Sequence, residues 1–364
     1  MAISPNSQEK KAVEIGRIYA DAENRILRQI ARRLAQGIDE HGWREKKITQ
    51  FRNIRQSIEK EIENLDELTE KELRKILTEA YGGGMKSADA DIRALVQEGL
   101  DDTNITLSSN ASVSGGFGAV NQQAVEALAA ETVDLLKRSH VQILRNTEDQ
   151  YRNVVSQNIG DAVIGAETRR QATQRMLNEF ADKGISNFVD KAGNHWEMQS
   201  YTEMATRASL GRAAINGHMN SMQDNGMDLA IVSDHPDECP DCKPWERQIL
   251  SISGEDTRYP SVSDAEADGL FHPGCGHTLN AYVEGLTKVE TPESDGAGYE
   301  VKKQQRYNER QIRRWKRRES VAMDEAEQKK AKAKIREWQA RNRKLVENNN
   351  LRRKYEREQI KRAR

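Results

Sequence analysis

The sequence predicts an α+β protein that is mostly α-helical, with long helices flanking a small central antiparallel β module that carries a cluster of cysteines and histidines. Apolar residues recur every three or four positions through most of the 364 residues, which is typical of helices with one buried face. Short apolar and β-branched runs lie between residues 226 and 290, where five of the seven prolines also fall. Charged residues make up 32% of the chain and hydrophobic residues 36%, so we expect solvated helices around a modest core.

The N-terminal helical region, residues 1–100, is predicted to contain three antiparallel helices. In the first helix, apolar residues from Ile15 to Leu34 line one face, and Gly37 is expected to follow its end. A second apolar repeat runs from Ile48 to Leu65. The third helix is expected to begin at Thr69, which has the spacing of a capping box, and to stop at the glycines 82–84.

Residues 101–120 are rich in serine, asparagine and glycine, a composition that predicts a flexible loop. Helical spacing resumes in a second helical region, residues 121–225. Its last helix is predicted to run from Tyr201 to Met222 and to end in the turn formed by residues 224–226.

Residues 226–290 are predicted to form a small α+β module. Leu229–Val232 is a short apolar run suited to a buried strand, Gln248–Ser253 alternates polar and apolar residues, and Thr278–Val283 is a third candidate strand. Turn-rich, proline-containing segments separate the three runs. The module is therefore expected to differ in architecture from the helices before it.

All three cysteines of the chain lie in this module, together with several histidines. Cys239 and Cys242 form a Cys-x-x-Cys pair, and Cys275-x-His277 supplies a second pair about 30 residues later. Three sulfurs and one imidazole satisfy tetrahedral Zn²⁺, so we predict a structural zinc site with these four ligands. His272 is an alternative fourth ligand. The competing interpretation is that these are ordinary buried residues, or thiols that oxidise.

An enzymatic interpretation rests on His195-Trp196-Glu197, which together with the Cys-x-x-Cys pair echoes the H-x-E and P-C-x-x-C pattern of zinc deaminases. The match is poor, because Glu238 and not a proline precedes Cys239, and because it leaves Cys275 unexplained. The sequence contains no G-x-S-x-G motif, no P-loop and no G-x-G-x-x-G motif that opens a helix. A zinc-dependent hydrolase or deaminase acting on nucleic acid is therefore kept only as an alternative.

The C-terminal residues 301–364, here called the basic tail, follow a predicted linker at residues 291–300. The tail holds 24 Lys and Arg against 9 Asp and Glu, a net charge of +15, whereas the rest of the chain carries −16. Such a helical segment is expected to bind polyanions, with DNA or an acidic protein surface as the partner. Acidic residues interrupt the basic face, which favours a protein partner. The residues predicted to make this contact are Arg313, Arg314, Trp315, Lys316, Arg317 and Arg318.

The sequence gives no indication of secretion or membrane insertion. Its first residues lack the apolar segment of a signal peptide, and no apolar run approaches the ~20 residues that span a bilayer. An odd number of cysteines in a long chain argues against a secreted disulfide framework. We therefore expect the protein to be made and assembled in a reducing cytoplasm, without membrane contact.

Six segments of the chain are typical of one known group of proteins. They are Ile26–Leu34, Thr206–His218, Ile231–His235, Cys239–Trp245, Phe271–His277 and Gln305–Arg318. On these residues the chain resembles the phage minor capsid protein 2 family, within a wider set of phage head-morphogenesis proteins that includes the Mu-type head protein. The sequence departs from the usual pattern at Gly276, where arginine is common, and at Glu246-Arg247, where Gly-Lys is more usual.

The resemblance implies a virion structural protein of a tailed bacteriophage, non-enzymatic and present in few copies. It would act in head assembly near the portal, with portal, capsid or scaffold proteins as partners and packaged DNA as a further partner of the basic tail. Some relatives carry toxin or transferase domains at the C-terminus. Here that end is only a charged helix, so no such activity is implied. A cytosolic DNA-binding protein that uses the basic tail is a third interpretation.

Overall fold

A computed structural model describes most of the chain. The described residues are 5–40, 46–47, 51–100, 119–163, 168–184, 188–189, 193, 195–234, 241–272, 275–287 and 297–361. The chain divides into two compact units, each assembled from three separate segments. Unit 1 comprises Met1–Ala12, Glu70–Val133 and Glu203–Glu300, and unit 2 comprises Val13–Thr69, Asp134–Thr202 and Val301–Arg364.

Helices dominate the described residues. In chain order they are α1 (Pro5–Ala35), α2 (Phe51–Glu98), α3 (Ala119–Val163), α4 (Arg169–Lys183), α5 (Met198–Asp224), α6 (Val262–Ala267), α7 (Ala297–Ser320) and α8 (Glu325–Asn348). Two short 3₁₀ helices cover Lys243–Trp245 and Tyr355–Glu358. The described part of the chain contains no helix long and apolar enough to cross a bilayer.

The described residues contain five short strands, which form two antiparallel sheets. They are β1 (Phe188–Val189), β2 (His195–Trp196), β3 (Leu229–Val232), β4 (Ile249–Ser251) and β5 (Leu279–Ala281). β1 pairs with β2 in unit 2, and β3 is the central strand of a three-stranded sheet of order β4-β3-β5 in unit 1. The mostly helical fold with a small antiparallel module is thus confirmed, and β3, β4 and β5 fall on the three predicted runs.

The central sheet of unit 1 packs into an apolar core. In register, Ala230 of β3 faces Leu250 of β4 on one side and Ala281 of β5 on the other, and all three side chains are buried. The core adds Ile215 and Met222 from α5, whose apolar residues recur at helical spacing. The same core also includes Cys242 and, more exposed, Cys275. Two of the three predicted cysteine ligands therefore belong to the core around the sheet.

The predicted helix end at glycines 82–84 is wrong, because α2 continues without a break to Glu98. A methyl group added to Gly84 would overlap the carbonyl oxygen of Ala214 in α5, and one added to Gly217 would overlap that of Tyr81 in α2. The glycines permit two helix backbones to touch, a role that needs the absence of a side chain and not a helix stop. Thr69, predicted as a cap, lies buried inside the same helix.

Other predicted helix ends agree with the structure. α1 ends at Ala35, just before Gly37, whose φ of 67° suits glycine. The helix predicted from Tyr201 to Met222 is α5, and Gly226 follows it with a φ of 73°. Most of the predicted loop, residues 101–118, and most of the predicted linker, residues 291–296, lie outside the described residues.

Unit 2 is built around an aliphatic and aromatic core. Its buried members include Ile26, Leu27, Ile30 and Leu34 of α1, Ile54 and Ile58 of α2, Tyr151 of α3, Met176, Leu177 and Phe180 of α4, and Val321. The basic tail belongs to this unit, and its helices are α7 and α8. Asp324 divides them, because its carboxylate accepts a hydrogen bond from Glu327 N and caps α8.

Candidate metal centre

Three of the predicted ligands meet at one end of the central sheet in unit 1. The Sγ atoms of Cys242 and Cys275 lie 3.5 Å apart, and Cys275 Sγ lies 3.2 Å from His277 Nδ1. The ligand atoms of all three residues lie within 4.8 Å of one another. The spacing Cys275-x-His277 therefore brings both side chains to the same point as Cys242, although 33 residues separate the two cysteines.

Backbone hydrogen bonds hold the two ligand-bearing segments against β3. After the 3₁₀ helix that follows Cys242, Arg247 N–H donates to Val232 O at 3.1 Å. On the other side of the strand, Ser233 N–H donates to Thr278 O at 2.9 Å, and Thr278 N–H donates to Ser233 Oγ at 2.8 Å. Both segments are thus fixed at the end of one strand.

The separations fit one tetrahedral metal ion. Zn–S bonds of ~2.3 Å and Zn–N bonds of ~2.0 Å place two sulfurs ~3.8 Å apart, and a sulfur and a nitrogen ~3.5 Å apart. The observed 3.5 Å between Cys242 and Cys275 and 3.2 Å between Cys275 and His277 are each only a few tenths of an ångström shorter. These two separations are therefore close to those of a metal-bound pair, and all three ligand atoms lie within 4.8 Å of one another.

The electrostatics favour the thiolate form of Cys275, which is the form that binds metal. The hydrogen bond donated by the Cys242 thiol lowers the pKa of Cys275 to about 4; burial opposes this shift, and His277 adds to it. The backbone N–H of His277 also donates to Cys275 Sγ at 3.3 Å. These hydrogen bonds therefore stabilise negative charge on Cys275 Sγ without the help of a bound cation.

His277 is held on its other side by a carboxylate. Its Nε2 lies 2.6 Å from Glu246 Oε1, and each of these two side chains is only 3% exposed. Burial lowers the pKa of His277, but hydrogen bonds with Cys275 and Glu246 outweigh burial and raise it. In the sequence, Glu246 differs from the residue that is usual in the resembling family, and this difference alone indicates no role for it. A buried acid within hydrogen-bonding reach of a ligand histidine becomes visible only in three dimensions.

The remaining predicted ligands are placed differently. Cys239 lies in residues 235–240, outside the described residues, and its role as fourth ligand stays a prediction. His272 is described and half-buried, but it is not one of the three residues whose ligand atoms converge. His272 as the alternative fourth ligand therefore also stays a prediction.

The His195-Trp196-Glu197 motif lies in unit 2, where His195 pairs with Val189 across the small sheet. Burial raises the pKa of Glu197, but Arg317 and Arg313 outweigh it and lower the pKa to about 2. Proton transfer is most efficient when the pKa lies near the working pH, so this carboxylate is poorly suited to that task.

The six tail residues predicted to bind a polyanion all have partners within unit 2. Arg313 and Arg317 are buried and each donates to a Glu197 oxygen at 3.1 Å. Arg314 and Arg318 each donate two hydrogen bonds to the Asp182 carboxylate.

Lys316 Nζ donates to Gln359 Oε1 at 2.8 Å, and the Arg318 guanidinium lies 4.6 Å from the ring centroid of Trp315. The sequence signal for these shared carboxylate partners is the spacing of the arginines. Residues 313 and 317, and residues 314 and 318, are arginines one helical turn apart and so lie on the same face of the helix. Their polyanion-binding role stays a prediction.

Comparisons with known proteins place these observations in a family context. The family model described as phage minor capsid protein 2 matches residues 3–347. A protein named "Structural protein" from Lactococcus phage LL-H is 28% identical over 261 residues, covering 65% of this chain and 70% of the relative. Another "Structural protein", from Lactococcus phage mv4, is 37% identical over 116 residues, covering 28% of this chain and 93% of the relative. No solved structure matches.

Proposed function

The chain belongs to the phage minor capsid protein 2 family, and from that premise we propose that it is a non-enzymatic structural protein of a tailed-phage head that acts in head assembly near the portal. The observation that carries this proposal is the family match over residues 3–347, supported by two relatives named as structural proteins. On this proposal the protein is synthesised and assembled in the host cytoplasm. It then remains in the virion in few copies.

Within this role, the centre in unit 1 holds a structural Zn²⁺. Cys242, Cys275 and His277 supply three ligands, and Cys239 supplies the fourth, with His272 as the alternative. Four protein ligands leave no open coordination position, so the ion would serve stability and not catalysis. The ion would cross-link the two segments that are hydrogen-bonded to the end of β3 on its two sides. The module needs such a cross-link because its three strands are only three or four residues long.

The basic tail provides the proposed contact with portal, capsid or scaffold protein, or with packaged DNA. Because Arg313 and Arg317 are buried in ion pairs, we assign the outward contact mainly to cations that stay exposed. Lys332, Arg336 and Arg343 lie on one face of α8, and none of these side chains has a hydrogen bond or ion pair with any residue that the structure describes.

Mass spectrometry of purified particles tests the virion assignment. Proheads and virions are separated on gradients, digested and quantified against the major capsid protein. We expect peptides of this chain in both particles, at a small fraction of the major capsid copy number. Absence from both particles would contradict the proposal.

A phage with a stop codon early in this gene tests the assembly role. Head assembly should fail, and a plasmid-borne wild-type copy should restore infectious particles. A plasmid copy with the same stop codon is the matched control for the complementation. Normal yields of filled, infectious heads from the uncomplemented mutant would rule out a role in head assembly.

A further inference from the structure

We infer that Glu246 is the positioning residue of the metal centre: its carboxylate fixes His277 so that Nδ1, and not Nε2, binds the metal. This inference rests on the metal site proposed above. It assigns a task to a residue outside the predicted ligand set, and it specifies which atom of the imidazole is the ligand.

The geometry around the imidazole distinguishes its two nitrogens. Nε2 lies 2.6 Å from Glu246 Oε1. A carboxylate can only accept hydrogen bonds, so Nε2 carries a proton and donates the hydrogen bond. Nδ1 lies 3.2 Å from Cys275 Sγ. With Nε2 protonated, the lone pair of a neutral His277 is on Nδ1, next to the two sulfurs. A metal ion at this point would be bound by that lone pair, beside Cys275 Sγ.

The burial of Glu246 supports the same assignment. A carboxylate taken out of water is costly unless it is paired, and here the side chain is 3% exposed against an equally buried imidazole. A divalent cation bound at Nδ1 would add positive charge that offsets this buried carboxylate through the imidazole. Hydrogen bonding from a ligand histidine to a carboxylate also raises the basicity of the ligand nitrogen and fixes the ring orientation.

The position of Glu246 follows from the local fold. The 3₁₀ helix Lys243–Trp245 begins directly after Cys242, and Glu246 N–H donates to Lys243 O at 3.3 Å as this turn closes. Arg247 then adopts a φ of 65°, and its N–H returns to Val232 O. The same turn thus positions Cys242, a proposed ligand, and Glu246, whose carboxylate orients the proposed ligand His277.

Zinc competition on the full chain tests the inference. The wild type, Glu246→Ala and Glu246→Gln are titrated against a chromogenic chelator under reducing conditions. Loss of an outer carboxylate partner typically weakens metal binding by about 10- to 100-fold, which we expect for Glu246→Ala. Glu246→Gln keeps an oxygen that can accept from Nε2 but lacks the charge, so its loss should be smaller. Glu266→Ala, which removes an exposed carboxylate in α6 of the same unit, should bind like the wild type.

A second readout separates positioning from simple destabilisation. In ¹⁵N-histidine-labelled protein loaded with Cd²⁺, His277 should show a metal-bound Nδ1 and a protonated Nε2. The fixed assignment should be lost in Glu246→Ala. Zinc affinity of Glu246→Ala and Glu246→Gln equal to wild type, or a metal-bound Nε2, would overturn the inference and leave the metal site standing. A folded, reduced wild type that binds no zinc would overturn both, and Cys275→Ser gives the reference for removal of a ligand.

Discussion

The two units of this protein use different chemistry to hold distant segments of the chain together. In unit 1, two cysteines and a histidine converge beside a three-stranded sheet, and α2 and α5 touch through glycines. Unit 2 has an aliphatic and aromatic core, and in addition arginines of α7 form ion pairs with Glu197 and Asp182. These ion pairs link segments of unit 2 that lie more than 100 residues apart in sequence.

This difference implies that the two units respond to different conditions. Thiolate and imidazole ligands respond to chelators and oxidants. Buried carboxylate–guanidinium pairs respond to acid, since they are lost when the carboxylate is protonated. Hydrogen exchange followed by mass spectrometry locates a loss of protection along the chain, so a change directed at one unit should reduce protection most within that unit.

Removal of Arg317 should have the largest effect. This side chain is 2% exposed and pairs with Glu197 and Glu23, so Arg317→Met removes one of the two arginines that pair with Glu197 and the arginine that pairs with the buried Glu23. Breaking a buried pair in this way typically costs about 3–5 kcal/mol. Denaturant unfolding, with hydrogen exchange to locate the change, should show this loss in unit 2. Arg336→Met, at an exposed position of α8, is the control, and equal effects of the two substitutions would refute the assignment.

Acid should weaken unit 2 over a defined pH range. The pKa of Glu197 is about 2 in the folded protein, below its ordinary value of 4.5, and the pKa of Asp182 is also lowered. The unfolded state therefore takes up protons first, and the stabilisation present above pH 4.5 is lost as the pH falls towards 2. At 1.36 kcal/mol per pKa unit, Glu197 contributes about 3 kcal/mol. Glu197→Gln should flatten stability against pH in this range, and an unchanged slope would contradict the ion-pair account.

Gly217→Ala should destabilise unit 1, because its new methyl group overlaps the Tyr81 carbonyl oxygen and forces α2 and α5 apart. Overpacking of this kind typically costs about 1–3 kcal/mol. Gly83→Ala is the matched control, since an added methyl group there meets nothing within 4 Å. It should stabilise α2 by about 0.5–1 kcal/mol. The comparison fails if both substitutions shift the unfolding free energy in the same direction.

The smallest stability change is expected at the exposed face of α8. Replacing Lys332, Arg336 and Arg343 by alanine, singly, should alter the unfolding free energy by less than about 0.5 kcal/mol each. The triple variant should bind double-stranded DNA more weakly, and its slope of log K against log salt should be shallower by about one for each phosphate that these cations neutralise in the wild type. The triple variant Arg28→Ala, Arg52→Ala, Lys60→Ala removes the same charge elsewhere in unit 2. Equal binding by both triple variants would exclude this face of α8.

Much of the architecture could be predicted because local patterns determine it. The strands that begin at residues 229, 249 and 279 coincide with short runs rich in apolar residues. Gly37 and Gly226 follow helix ends, where their positive φ angles suit glycine. The glycines 82–84 were misread because the same residue type also serves close helix contact. Which role applies depends on Ala214, a residue far away in sequence.

The residues of the candidate site also differ in whether the sequence could predict their role. The clustering of Cys242, Cys275 and His277 could be predicted from spacing, since each residue carries metal-binding chemistry by itself. Glu246 could not, because a glutamate has no distinctive local pattern and its meaning depends on the ring 2.6 Å away. The pairing of the tail arginines with Glu197 and Asp182 could not be predicted either, because the net charge and the spacing of the arginines do not identify their internal partners.

X-ray absorption at the zinc edge, on the full chain purified under reducing conditions, tests the zinc site proposed for unit 1. We predict one zinc per chain with sulfur neighbours at ~2.3 Å and one nitrogen at ~2.0 Å, and loss of a sulfur neighbour in Cys275→Ser. A zinc-free protein with intact folded structure, or a shell of oxygen and nitrogen without sulfur, would contradict it.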